Sequence, residues 1–323
     1  MKTRPVQGMS GTGAYDKAPG GSRVKLRSAG AGRGSMSRGC RPWLRLRFGP
    51  GKTFCCRRCG LGVCSPEGGE KSMRGNRVKE KLNRGEVAVA VGGHSNTSDT
   101  IDFLGPLGFD GIWLEGEHGS VSWGKIGDLS RACDLWGMAS VARLHQNDPG
   151  VITRILDLGV NGIVVPHVST RAEAERVVES AFFAPAGRRG IFSGRRSYGA
   201  SDFHERANAE TLVIVLIEEM QAVENLEEIL SVDHIDVFFV APGDLAQTMG
   251  MVGRHRDPEV EAVVEGAIRQ IVAAGRTPGA LGYEDKLQHY HDLGVRFFLT
   301  NYNAWLEEAG RAYLERVAAI RPG

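Results

Sequence analysis

Eight short apolar runs, each followed by a stretch long enough for a helix, limit what this chain can fold into. They fall at 87–91, 111–114, 139–142, 162–166, 212–217, 236–241, 277–281 and 296–299. The first, Val87-Ala88-Val89-Ala90-Val91, is unbroken and β-favouring, as strands covered on both faces are. Residues 78–83, 99–107, 123–136, 150–158, 171–182 and 202–210 have helical spacing. Asp148-Pro149 supplies an N-cap and a proline at the first helical position, and Gly159 stops the helix they open. Strand and helix alternating eight times predicts a (β/α)8 barrel. A doubly wound sheet is the rival, but no glycine-rich dinucleotide turn follows the first run.

Composition divides the 323 residues near Met73. Residues 1–74 hold 16 Lys/Arg against 3 Asp/Glu, and the remaining 249 hold 24 against 35, so a basic front precedes an acidic body. The front is rich in Gly, Ser and Arg and has no period of 2 or 3.6, so it predicts a disordered extension over residues 1–72 and a barrel domain over 73–323. Five of the six cysteines lie there. Cys56-x-x-Cys59 is one pair with zinc spacing, but its neighbours are too crowded for a second, and the segment reads as a solvated Cys/Arg tract. Helical spacing resumes at Met73 as a natural start would have it, which fits residues 1–72 being translated upstream sequence. The body has one cysteine, Cys133, and no run of 18 apolar residues, so a reduced, cytoplasmic protein that does not cross a membrane is expected.

Polar residues cluster just past the carboxyl ends of four runs: Glu115-Gly116-Glu117-His118, Arg143, Glu218 and Asp244. In a barrel these ends surround one mouth. Glu218 closes the apolar run 212–217, where a carboxylate must pair, protonate or bind a cation. Asp244 follows Pro242-Gly243 one strand later. Two such carboxylates without thiolates suit a hard divalent ion, Mg2+ or Mn2+; alternatively Asp244 caps the next helix. His118, flanked by Glu115 and Glu117, fits proton transfer, and Arg143 fits an anion in the mouth or an ion pair with those glutamates. The pairs Arg188-Arg189 and Arg195-Arg196 have no interleaved aromatics and read as loop or subunit contacts, so no nucleic-acid partner is expected.

With Phe109 to Gly119, Arg143-x-x-x-Asn147-Asp148-Pro149, Asp157-x-Gly159-x-x-Gly162, Pro185-x-Gly187-x-Arg189-Gly190, Ile217-Glu218 and Pro242-Gly243-Asp244-Leu245 in this order, the chain resembles the HpcH/HpaI aldolase family over residues 76–318. The resemblance implies a TIM barrel of the phosphoenolpyruvate/pyruvate type, a class II pyruvate aldolase and a homo-oligomer, trimer or hexamer. The expected reaction is reversible cleavage of a 4-hydroxy-2-oxo acid to pyruvate and an aldehyde, through an enolate at a divalent metal (Mg2+, Mn2+ or Co2+), of the kind used in aromatic-compound catabolism. It further implies Glu218 and Asp244 as metal ligands, Glu117 acting through a water, Arg143 at the keto oxygen, His118 in acid/base chemistry and Asp157 near the neighbouring subunit's site. Backbone N–H groups at Gly243 and Asp244 would hold the pyruvate carboxylate. Glu115 stands where many members have Asp, and Asn301-Tyr302-Asn303 replaces an expected Asp near the last strand. Related lyases acting on an acyl-CoA or decarboxylating oxaloacetate, and a non-catalytic metal-binding barrel, are the alternatives.

Overall fold

The computed structural model describes residues 72–320 and three short strands before them, β1 (Arg45–Arg47), β2 (Thr53–Arg57) and β3 (Gly60–Val63), which pair antiparallel in that order. The expectations for residues 1–72, on disorder and on the cysteines, otherwise lie outside the described residues. The chain divides into the units Met1–Pro66 and Glu67–Gly323.

The larger unit is a closed barrel of eight parallel strands with interleaved helices. In chain order the strands are β4 (Ala88–Gly92), β5 (Gly111–Glu115), β6 (Ala139–Arg143), β7 (Gly162–Val165), β8 (Leu212–Ile217), β9 (Val237–Val240), β10 (Pro278–Leu281) and β11 (Phe297–Asn301), and β11 closes on β4. The expected runs match to within one or two residues. The last strand reaches Asn301 rather than residue 299 because Thr300 and Asn301 pair with Val91 and Gly92. Asp148 caps its helix as expected, accepting from the Val151 amide at 3.0 Å, and Gly159 ends the element at φ 98°. Among the described residues no helix is long and apolar enough to cross a membrane.

Strand alternation sorts the core into two buried clusters. Ile112, Leu114, Ile163, Val165, Val213, Val215, Phe238, Val240 and Phe298 pack outward against the helices. Ala88, Ala90, Trp113, Val141, Val164, Ile214, Leu216, Phe239 and Phe297 fill the interior. Trp113, Phe239 and Phe297 contact one another in series there, tilted and edge-on, with centroids 5.6 and 6.2 Å apart, and the small residues of β4 lie between the strands that carry Phe297 and Trp113. Gly279 makes room for them, since a Cβ there would lie 2.7 Å from the Phe239 ring.

The helix Arg77–Asn83 closes the amino end. Val78 joins the interior cluster, Arg77 and Lys81 each reach the buried Asp110 at 2.9 Å, and Lys79 reaches Asp236 at 2.9 Å. Just before it, Met73 is 3% exposed among Phe183, Phe203 and Ala207, with its amide 2.6 Å from Asp202.

Two outcomes are expected. A chain begun at Met73 should melt with the full-length protein in scanning calorimetry, whereas one begun at Lys79, lacking Met73, Asn76 and Val78, should melt earlier. Gly279→Ala overpacks an interior that cannot yield and should lose about 1–3 kcal/mol of stability in urea denaturation.

Candidate active site

The inward parity of the strands continues past the apolar interior and becomes polar at the carboxyl end. After Trp113 comes Glu115, after Val141 comes Arg143, after Leu216 comes Glu218, and after Leu299 comes Asn301. The alternation that fills the barrel therefore aims these side chains into the mouth.

Arg143 is the hub. Its guanidinium lies 2.6 Å from Glu117, 3.3 Å from Glu218 and 3.5 Å from Glu115, and its side chain is 12% exposed. Glu218 is wholly buried and accepts from the His167 amide at 2.8 Å. Burial pushes its carboxyl above the usual glutamate range, the His167 amide and Arg143 oppose this, and the Asp244 charge adds to it.

Glu115 accepts from the amides of Glu117 (2.9 Å) and His118 (3.0 Å) and from the Trp113 indole (3.1 Å). Burial would raise its carboxyl, but Arg143 and these donors outweigh burial and hold it below the ordinary value. Glu115 makes no pair with the His118 ring, because its side chain folds back beneath its own loop. The His118 side chain is 63% exposed, and its nearest carboxylate contact, Glu117, is at 3.8 Å, beyond hydrogen bonding.

Asp244 lies in the first turn of the helix Pro242–Thr248. It is not the cap, which is Ala241, and its carboxylate accepts no hydrogen bond and makes no ion pair among the described residues. Asp157 lies at the end of the helix Pro149–Asp157, toward the amino end of the barrel, where it pairs with the buried Arg189 at 2.7 Å. This chain's own mouth does not contain it. The arginines of the 184–201 loop are largely spent within the chain. Arg189 also lies over the Phe183 ring, Arg195 contacts Asp134, Ser130 and the Gly159 carbonyl, and Arg196 reaches the carbonyls of Val160 and Arg74.

The sequence reading missed His167, which follows β7 and Pro166. Its backbone is left-handed at φ 54°, which turns its amide to Glu218 while its ring contacts Glu219 at 2.9 Å and Glu117 at 3.3 Å. Burial alone would lower the imidazole, but Glu218, Glu219 and Glu117 together raise it. The signal was present, a polar residue just past a strand's carboxyl end. Also missed was one wall of the cavity beside Arg143. That cavity, of about 490 Å³, runs from Glu115, His118 and Arg143 across His94 to Tyr283, Glu284, Trp305 and Glu308. Asn301-Tyr302-Asn303 ties this wall together: Asn301 caps the last helix, Asn303 accepts from the His94 amide at 3.1 Å, and Tyr302 bonds the Ser95 carbonyl. A Cβ at Gly93 would lie 2.1 Å from the Tyr302 ring, so a larger residue there would have to displace that side chain.

A hard cation fits the donors at the mouth. Glu218 and Asp244 offer carboxylate oxygens, and the buried Glu117 Oε2, although close to Arg143, has no hydrogen-bond partner. Among the described residues, three potential ligand atoms come within sharing distance of one another only at Glu261, Glu265 and His289, on outer helices. That trio already engages Lys286, Tyr290 and Arg269.

Comparison with known proteins agrees with the fold. The HpcH/HpaI aldolase/citrate lyase family profile matches residues 94–296. A 4-hydroxy-2-oxo-heptane-1,7-dioate aldolase from Shigella sonnei is 31% identical over 258 residues, covering 77% of this chain and 98% of that one. Among solved structures, an HpcH/HpaI aldolase/citrate lyase family protein from Burkholderia cenocepacia superposes with TM-score 0.71 at 25% identity, covering 76% of this chain and 100% of that one. The citrate synthase SbnG shares the fold, with TM-score 0.68 at 24% identity over 74% of this chain and 96% of that one. The chain belongs to the HpcH/HpaI aldolase/citrate lyase family.

The burial of Glu218 gives a testable sign. Its raised folded-state value means the ionised form costs stability, a cost that is full above that value and vanishes below the ordinary glutamate range. In chelator, Glu218→Gln should melt above the parent at neutral pH, and the two curves should converge as the pH falls through that window.

Proposed function

We propose that this chain is a metal-dependent aldolase that reversibly cleaves a 4-hydroxy-2-oxo acid to pyruvate and an aldehyde. The observation that carries the reading is Arg143, which lines an open cavity and joins it to a buried carboxylate set. A cation there is poised for an oxyanion rather than for structure alone.

In cleavage, the 4-hydroxyl loses its proton to a base and the C3–C4 bond breaks. The electron pair moves onto the 2-oxo group, giving pyruvate enolate and the aldehyde, and the enolate then takes a proton at C3. Arg143 stabilises the oxygen where negative charge develops. The first-turn amides of Gly243 and Asp244, which have no acceptor within the helix, are suited to the pyruvate carboxylate. His118, with its ring free at the rim of the cavity, moves the proton between substrate and solvent. Glu218 and Asp244, with Glu117 through a water, would hold a divalent ion such as Mg2+ or Mn2+, which supplies Lewis-acid polarisation of the same keto oxygen.

The aldolase named above supports this reading over an acyl-CoA lyase, and so does the cavity wall, which offers glutamates where a CoA phosphate would need cations.

Exchange of pyruvate methyl protons in D2O, followed by NMR, isolates enolate formation from any aldehyde. The parent with Mn2+ or Mg2+ should exchange, and chelator should stop it. Arg143→Ala should lose roughly 10²–10³-fold, and His118→Ala roughly 10²–10⁴-fold in the proton-transfer step while retaining pyruvate binding. Exchange at the parental rate in Arg143→Ala would overturn the assignment.

A further inference from the structure

The cavity beside Arg143 has two ends of opposite character. At one, the guanidinium faces Glu115. The other, built by the ends of β10 and β11 and the first turns of the helix Tyr302–Ala318, carries Tyr283, Glu284, Asn301, Trp305 and Glu308. Among the described lining residues there is no lysine, and Arg143 is the one arginine. Neither Glu284 nor Glu308 has an ion-pair or hydrogen-bond partner among the described residues. Arg256 stacks on Tyr283 at 4.7 Å, but it does not line the cavity and is held by Asp285 at 2.5 Å.

This wall bears on the second substrate. Cleaving a heptane-1,7-dioate between C3 and C4 leaves an aldehyde that itself carries a carboxylate. With pyruvate anchored at Arg143, the rest of the substrate extends along the cavity away from His118, and a distal carboxylate would meet two unneutralised glutamates and neither a lysine nor a second arginine among the described lining residues. Both glutamates are exposed, so water and salt screen part of the repulsion, but like charges at this end of the cavity still disfavour an anion there. Hydroxyl groups reverse the balance, because each O–H donates to a carboxylate in a charge-assisted bond. The faces of Trp305 and Tyr283 accept the carbon skeleton of such a molecule, and about 490 Å³ holds a compact oxo acid of this size.

We propose that the aldehyde partner of this site is an uncharged, hydroxyl-bearing one, and that Glu284 and Glu308 select against aldehydes that carry a carboxylate. This rests on the aldolase reading and narrows it: the chain shares the pyruvate half of the reaction with its heptane-1,7-dioate relatives and differs in the other half. The step is unchanged in its balance. The enolate carbon bonds to the aldehyde carbon, and the aldehyde oxygen takes up one proton.

The test is aldol addition of pyruvate to glyceraldehyde and to succinic semialdehyde, by the holoenzyme supplied with Mn2+, read as the ratio of the two kcat/KM values. That ratio does not depend on the fraction of protein folded. It should favour glyceraldehyde at least ten-fold, about 1.4 kcal/mol of discrimination. The Glu284→Gln/Glu308→Gln double variant should narrow it at least ten-fold, and Glu308→Lys should narrow it further. A parent that prefers succinic semialdehyde, or a ratio that neither variant moves, overturns the proposal. If such a parent still exchanges pyruvate methyl protons, only the aldehyde assignment falls. A parent that neither exchanges protons nor forms product with either aldehyde would overturn the aldolase reading, and this inference with it.

Discussion

One guanidinium among three carboxylates organises the mouth of this barrel. Arg143 lies within 3.5 Å of Glu115, Glu117 and Glu218, all of them at least partly withdrawn from water. A buried charge is tolerated only when paired, and removing one partner leaves the others uncompensated. Arg143 therefore decides where the Glu115–His118 loop sits and allows Glu218 to exist at zero exposure. The pairing is also incomplete, since Arg143 offers one positive charge to three negative ones, with Asp244 close by. That surplus of negative charge, in an oxygen-only donor set, is what a divalent cation would relieve.

The two ends of the barrel divide the labour. At the amino end, Arg77, Lys79 and Lys81 lock the first helix to Asp110 and Asp236, and Arg189, Arg195 and Arg196 brace the 184–201 loop. Nearly every charge there has a partner, as a face devoted to stability requires. At the carboxyl end Glu284, Glu308 and Asp244 have none among the described residues, and Glu117 Oε2 and Arg143 Nε are buried without hydrogen bonds. Buried atoms without hydrogen bonds occur at the amino end too, at Asp110 Oδ1, Arg189 Nε and Arg195 Nε, but those residues are held in ion pairs, whereas whole carboxylates without a partner lie at the carboxyl end, as a site built for a ligand would have them.

Much of this was legible in the sequence, for reasons that particular residues show. The strands could be read because a doubly covered parallel strand is a continuous apolar run, and Leu212–Ile217 is the clearest case. Glu218 could be read because it interrupts that run at its end. His167 could not be weighed in the same way: it follows Pro166, and its importance lies in a left-handed backbone that turns an amide rather than a side chain toward Glu218. The role of Glu115 was also hidden. Whether a glutamate in that loop reaches the His118 ring or its own backbone depends on where the chain turns, and the three N–H donors beneath it settle the matter. The far wall of the cavity escaped because Glu284 and Glu308 are exposed residues of ordinary loop and helix, brought opposite Arg143 only when the eighth strand closes on the first.

The central claim is that the carboxylates gathered around Arg143, and not the outer acidic cluster, hold the functional cation. Titrating the metal-free protein with Mn2+ and following free Mn2+ by electron paramagnetic resonance tests this directly. The account predicts one tight site that is lost in Asp244→Asn and kept in His289→Ala. Binding that survives Asp244→Asn and disappears in His289→Ala would assign the ion to Glu261, Glu265 and His289 and contradict the account.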